Sequence, residues 1–448
     1  MADIKPIRAW RYNENLSSSI EQLTSPLFDV VSVKQREALY QNPINSIHLS
    51  VPRGFFPADE AAALLEDWKE KGIIKQDMLP GIYVYYQYFR LPGSKKEYCR
   101  KGFICHIVAT DWPEKVILRH ENTIHTAVND RIELLEKTQL NTSPTHGLYT
   151  DPDFILEQYM DESMQQPLYE TEDYQGVRDV LAVIHDAEVI KQFMKVLQNK
   201  QVLLADGHHR YEGSLQYRKK MMAQNPEHTG NEAYNFHLMY LTNTESDDLR
   251  ILPTHRLLKS RSLSDEEFLE KLAPYFVVTP KEDPFELNEV IVGKPWAFGL
   301  YLSGNAYKLR LKPEQHDLID WQVPSEVKDL DLTVMHYFIF EKVLGISREE
   351  QRDYAGLSYV RNFTECISKV NSGDARLALI TNEVSMEQVK RVCYSGAIMP
   401  QKSTFFYPKV ICGFLFSSIK QHEFESQVDT CFQLTQTERV AGKHGVNI

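Results

Sequence analysis

The segment Ala205-Asp206-Gly207-His208-His209-Arg210-Tyr211 gathers an acid, two imidazoles and a guanidinium directly behind the apolar run Val202-Leu203-Leu204. Beyond it, Tyr211, Leu215 and Met222 recur at helical spacing. A buried strand that passes through a glycine into a helix makes a phosphate cradle. First-turn N–H groups lack intrahelical acceptors, the positive end of the helix dipole favours an anion, and a glycine lets the backbone approach it. In that reading Gly207 supplies the close approach and Arg210 grips phosphate oxygens bidentately, while His208 and His209 add donors whose charge changes near neutrality. Asp206, at the carboxyl end of the strand, is placed to hold a magnesium ion or orient an imidazole. The competing readings are a tight turn with surface histidines and a zinc site. For zinc, adjacent helical residues diverge by about 100° and no H-x-x-x-H completes the ligand set.

Two further stretches carry chemistry. Glu121, flanked by Arg119 and His120 and placed just ahead of a helix, is either a general base or a partner of that helix's dipole. Met399-Pro400-Gln401-Lys402-Ser403-Thr404, running on to Lys409, sets two lysines and two hydroxyls among aromatics. It reads as a phosphate clamp or as a loop pinned by prolines. No Walker A loop, G-x-S-x-G elbow or G-x-G-x-x-G fingerprint is present.

The elements that must position these residues follow from periodicity. Ser46–Val51 reads as a strand, Asp59–Lys71 as a helix, and Gly81–Phe89 and Gly102–Thr110 as a hairpin pair around Leu91-Pro92-Gly93-Ser94. Thr123 is the expected N-cap of a helix carrying Ile124, Ala127, Val128, Ile132 and Leu135. A Pro- and Asp-rich connection spans Ser143–Asp153, and the acidic stretch Glu157–Gln175 reads as a mobile insertion. Strand 181–184, helix 187–198 and strand 201–205 alternate as in an α/β protein. After residue 230 come longer strands at Phe236–Leu241, Trp296–Leu302 and Ala306–Leu311, with a charged helix at Ser264–Leu272, so a second, α+β lobe is expected. The resulting division is an amino-terminal α/β part (1–112), a core carrying the turn (113–230), an α+β lobe (231–421) and a polar tail (422–448).

At 448 residues, 42% hydrophobic and 25% charged, the chain has room for several cores and the balance of an ordinary globular protein. A net charge of −12 argues against nucleic acid and anionic membrane as partners, so any anion must be met by a local cluster. Six cysteines without a C-x-x-C pair read as free thiols of a reducing cytosol. The amino terminus lacks a secretory pattern and no apolar run spans a bilayer, which makes the expected location cytoplasmic.

In these residues the chain resembles the domain of unknown function 1015 family. The shared features are Phe28-Asp29-Val30-Val31-Ser32, Arg119-His120-Glu121-x-Thr123 with Asp130-Arg131, Ala205 through Glu212, Leu252-Pro253-Thr254-His255-Arg256, and Met399 through Lys409. Phe28 stands where a tyrosine is expected, which removes a hydroxyl there. A more distant resemblance is to the ParB/sulfiredoxin-like superfamily, which includes nucleotide-binding partition proteins, sulfiredoxins and kinases of free serine. It implies a ParB/sulfiredoxin-like core and a small-molecule kinase using magnesium with ATP or ADP. Carried over, Asp206, His208, His209 and Arg210 lie at the phosphates and Glu121 is the base; the expected phosphotransferase has Asp206 holding the metal and Asp206, His208 and Glu121 at the chemistry. Gly207, His208, His209, Arg210, Arg119 and His120 line the phosphates, and His255, Arg256, Lys402, Ser403, Thr404 and Lys409 reach in from the second lobe. The interval from Glu121 to Asp206 is about twice the family's spacing, so the Glu157–Gln175 stretch would have to be an insertion. A nucleotide sensor and a metal-dependent phosphoester hydrolase are the alternative functions.

Overall fold

A computed structural model describes residues 1–259, 263–352 and 354–424. The tail expected over 422–448 and Cys431 therefore fall outside the described residues after position 424. The chain divides into two compact units: residues 1–119, 123–249 and those from Pro408 onward form one, and residues 120–122 with 250–407 form the other.

The first unit is built on a nine-stranded mixed sheet. Its strands are β1 (Ile4–Lys5), β2 (Ile82–Arg90), β3 (Glu97–Val108), β4 (Ile117–Leu118), β5 (Thr145–Tyr149), β6 (Tyr169–Glu172), β7 (Arg178–Ile184), β8 (Val202–Asp206) and β9 (Phe236–Asn243). They lie in the order β6-β7-β2-β3-β9-β5-β8-β4, with β1 added to β3. The longer helices of this unit are α1 (Pro57–Glu70), α2 (His125–Thr138), α3 (Ala187–Gln198) and α4 (His208–Gln224). The aromatic run of β2 is explained by period two with both faces covered. Ile82, Val84 and Tyr86 join Phe193 of α3 and Tyr211 of α4 on one side, while Tyr83 and Tyr85 join Trp68 of α1 and Phe416 on the other.

Several expectations are corrected. Ser46–Val51 holds the short helix Ile47–Ser50 instead of a strand, and β3 begins at Glu97 rather than Gly102. Helix α2 is capped by Ile124, with no side-chain hydrogen bond, and not by Thr123. The connection at Ser143–Asp153 contains β5, a central strand. The stretch Glu157–Gln175 contains a helix, Glu157–Ser163, and the edge strand β6. In β6, Tyr169 and Thr171 are buried while Glu170 and Glu172 face solvent, and the acidic composition is that of a guarded sheet edge. Segments 1–112 and 113–230 share one sheet, and Phe236–Asn243 is an inner strand of that sheet, so the main segment of the second unit starts at Arg250.

The second unit is α+β. Six strands, β10 (His255–Leu258), β11 (Phe276–Lys281), β12 (Ala297–Leu302), β13 (Asn305–Leu311), β14 (Leu357–Val360) and β15 (Leu377–Ile380), pair antiparallel in the order β11-β13-β12-β15-β10-β14. One face packs on helix α5 (Asp265–Leu272) and on the helical stretch Asp331–Val343, whose latter part is a π-helix. The other packs on the helices Leu287–Ile291 and Phe363–Asn371.

Candidate functional site

Strand β8 pairs with β5 through Leu204 opposite Gly147 and then Asp206 opposite His146, with an irregularity between them. Such a bulge re-aims the last side chain of a strand. Gly207 follows at φ 88°, in the left-handed region. A Cβ there would lie 2.7 Å from Thr145 Cγ2 and 2.9 Å from Arg210 Nη2, so both conformation and space call for glycine. Helix α4 starts at once with His208, and Gly207 as N-cap offers its first N–H groups no side-chain acceptor.

Both oxygens of Asp206 are taken. Lys409 Nζ donates to Oδ1, and Arg210 Nη2 donates to Oδ2 at 3.2 Å. Burial works to raise the acid's pKa, but the two cations outweigh it and hold the carboxyl well below its usual range. Arg210 also donates through Nη1 to Ser143 Oγ (3.0 Å) and Pro144 O (2.7 Å). Its terminal nitrogens thus brace the turn against the segment before β5.

A carboxylate with a lysine on one oxygen and an arginine on the other is a poor ligand for a dication. Among the described residues no group of three or more His, Cys, Asp or Glu side chains is arranged to hold a metal. In this structure Asp206 serves as the counter-charge of Lys409 and Arg210.

Lys409, assigned by sequence to the second lobe, belongs to the first unit. Its backbone is anchored by a buried polar network that sequence reading missed. Gln87 and Arg100 are cross-strand partners on β2 and β3. Arg100 donates to Gln87 Oε1 and to Pro408 O, and Gln87 Nε2 donates to Lys409 O at 3.0 Å and to Asp179 Oδ1 at 2.7 Å. Asp179 also accepts from the Tyr85 hydroxyl, and burial pushes its carboxyl up to about 7. The available signal was a glutamine inside the aromatic run of β2 and an arginine in the more mixed β3. His146 was missed as well. Its Nε2 meets Thr242 Oγ1 at 2.7 Å, and burial with nearby Arg100 keeps the ring neutral.

Of the remaining candidates in this unit, His209 Nε2 accepts the Ile124 N–H at 3.0 Å, tying the start of α2 to the start of α4. His208 is buried in the first turn of α4. Arg119 lies over the Trp112 ring at 4.8 Å.

The second unit gathers the others. His120 accepts the Met399 N–H on its carbonyl at 2.9 Å and meets Thr404 Oγ1 through Nε2 at 2.8 Å. Arg256 is fully buried and donates to the carbonyls of Thr254, Gln401 and Lys402. Burial pulls its pKa down to about 10, against the opposing fields of Tyr359 and Glu121. His255 Nδ1 accepts the Thr381 N–H at 3.2 Å. Ser403 donates to Pro400 O at 2.5 Å, and Lys402 is exposed with φ 56°. The Met399–Thr404 loop is thus a folded brace for His120 and Arg256.

These features define a two-unit protein, mixed α/β and α+β, with a net positive strand–glycine–helix turn in its first unit. The chain belongs to the family described as protein of unknown function (DUF1015), whose model matches residues 4–333. No curated protein matches it. Among solved structures it is similar to a conserved hypothetical protein from Pyrococcus furiosus, at 13% identity and TM-score 0.36, covering 71% of this chain and 96% of that one. It is also similar to a free serine kinase in complex with AMP, at 13% identity and TM-score 0.38, covering 72% and 93%. A third is SbnI from Staphylococcus aureus, at 11% identity and TM-score 0.36, covering 74% and 94%.

Proposed function

We propose that the chain is a nucleotide-dependent phosphotransferase acting on the hydroxyl of a small metabolite, free serine or a close relative. The observation that carries this is the turn at Asp206–Arg210. A left-handed glycine opens a seventeen-residue helix beside one half-buried carboxylate and the two cations that hold it. One negative and two positive side chains leave a positive excess where the helix dipole is also positive, and phosphate is the ligand class such a turn receives. Phosphoryl transfer asks the protein mainly for positioning and charge stabilisation. The acceptor oxygen bonds to the terminal phosphorus, the bond to the leaving phosphate oxygen breaks, and the hydroxyl proton passes to a base. The superfamily resemblance assigns that base to Glu121 and the choice of acceptor to serine-like molecules. Magnesium would enter with the nucleotide phosphates.

A nucleotide sensor is the second reading. It is favoured by the locking of Asp206 between two cations, which leaves the turn able to bind phosphate without supplying a metal ligand. Calorimetric titration of AMP, ADP and ATP, with and without magnesium, followed by a serine-phosphorylation assay, tests both. Saturable nucleotide binding is expected, and the absence of binding by any nucleotide overturns both readings. Glu121→Gln then separates them. For a phosphotransferase, turnover falls by about a hundredfold or more with nucleotide affinity retained, whereas unchanged turnover removes Glu121 from the base role.

A further inference from the structure

Beside the turn, the Arg119 guanidinium makes no hydrogen bond and no ion pair among the described residues, and rests on the face of Trp112 at 4.8 Å. The residue is half-buried, with none of its nitrogens sealed from solvent. Leu118 of β4 pairs with Leu203 of the parallel strand β8, so Arg119 follows beside the end of β8, where Asp206 and Gly207 lead into α4. Trp112 is fixed to that same helix. Its ring packs on Tyr211 at 5.1 Å and its Nε1 donates to Glu212 Oε2 at 2.7 Å. These are the fourth and fifth residues of α4, about 6 Å along the axis from its first N–H groups.

The acids around Trp112 are engaged elsewhere. Glu212 accepts from Trp112 on one oxygen and from Gln216 Nε2 on the other at 3.0 Å. Asp111 pairs with Lys219 at 2.5 Å and accepts the Trp112 N–H at 2.9 Å, while Glu114 accepts the Asp111 N–H at 2.8 Å. Together they lock the short turn Trp112–Glu114 that carries the indole. These carboxylates hold the ring beneath Arg119 and leave the guanidinium itself unpaired. A guanidinium lying on an indole keeps its five N–H donors at the rim of the stack, where a phosphate meets them bidentately. The terminal nitrogens of Arg210, by contrast, are already engaged by Asp206, Ser143 and Pro144.

We propose that Trp112, anchored by Glu212, is a positioning residue that presents Arg119 to a phosphate of the bound nucleotide. This role rests on the nucleotide reading of the turn and names the guanidinium that completes it. The open N–H groups of α4 and the Arg119 fork then take different oxygens of one phosphate chain. The stack fixes the plane of the fork before the nucleotide arrives, so less side-chain freedom is lost on binding.

Calorimetric titration of the full chain with ADP at several salt concentrations tests this. In Arg119→Gln, ADP affinity is expected to fall about tenfold or more and its dependence on salt to flatten, because one phosphate-facing charge is gone. Trp112→Leu keeps that charge and removes the stacking face, and should weaken ADP binding about threefold. Because Trp112 acts through Arg119, the leucine should cost nothing further in the Arg119→Gln background, whereas a packing role would lower affinity by the same factor in both. Trp112→Phe, which loses the Glu212 anchor and keeps a ring, enters the same cycle should the leucine variant not fold. Unchanged ADP affinity in Arg119→Gln, or equal factors for the Trp112 substitution in the two backgrounds, overturns this proposal alone. Absence of ADP binding by the wild type overturns it together with the nucleotide reading.

Discussion

Two aspartates of the first unit, the buried Asp179 and the half-buried Asp206, titrate in opposite directions, and the difference is what touches them. Asp206 meets a lysine and an arginine, whereas Asp179 meets a tyrosine hydroxyl and a glutamine amide. Burial disfavours both anions, and only Asp206 has cations in contact to overcome it. Asp206→Asn therefore leaves Lys409 and Arg210 without their carboxylate, and a loss of about 3–5 kcal/mol is expected. Asp179→Asn keeps an oxygen that can accept both existing hydrogen bonds, so its cost near pH 7 is expected to stay below about 1 kcal/mol. Urea unfolding of the two variants beside wild type reads this directly, and equal losses would mean that the counter-charge role of Asp206 is wrong. The acid behaviour carries the same signature. The stability Asp206 contributes is present above its ordinary value of about 3.9 and is lost as pH falls toward its depressed native value, so the asparagine variant should show a shallower fall in acid.

At the scale of elements, the strand–Gly207–helix unit was legible because local signals coincide there. An apolar run of strand length, a glycine at the joint and helical periodicity beyond it all name the same geometry. Gly207→Ala tests how tightly the unit depends on that joint. Alanine must take φ 88° with its Cβ pressed on Thr145, so a destabilisation of about 1–3 kcal/mol and weakened nucleotide binding are expected. Full stability would show that the turn relaxes freely. What the sequence hid was the partner of the turn. Lys409 reaches Asp206 across 203 residues, and no periodicity carries information over that distance. The Gln87–Arg100 pairing that anchors Lys409 was hidden for a related reason, since a glutamine in one strand and an arginine in another acquire joint meaning only once the register is known. Edge strand β6 was misread because four residues of alternating Tyr, Glu, Thr and Glu look like a charged loop until they are placed beside β7.

Across the whole molecule, the first unit is closed by a segment from the far end of the chain. Ile411–Cys412 pairs with Ser25–Pro26, and Ser417–Ser418 pairs with Leu140–Asn141. Boundaries drawn along the sequence could not register that return, whereas the mixed α/β and α+β classes, which depend only on local alternation, could. Both units also bury neutral histidines. Burial pulls His106 and His237 of the first unit and His336 of the second down to about 3, and His255 of the second to about 4. The native chain thus stays unprotonated at these rings while the unfolded chain takes up protons below about pH 6.5. The unfolded state binds more protons, so stability must fall as pH drops through that window. At pH 5 each ring accounts for about 2 kcal/mol. Asp179 works the other way, because its raised pKa contributes stability that is full below about pH 4 and is lost as pH rises through about 7. One carboxyl cannot offset four rings, so the urea midpoint should drop clearly between about pH 7 and pH 5, and drop further in the Asp179→Asn background. A midpoint that holds constant over that range would show that these histidines are protonated in the native state and that their burial is relieved by water.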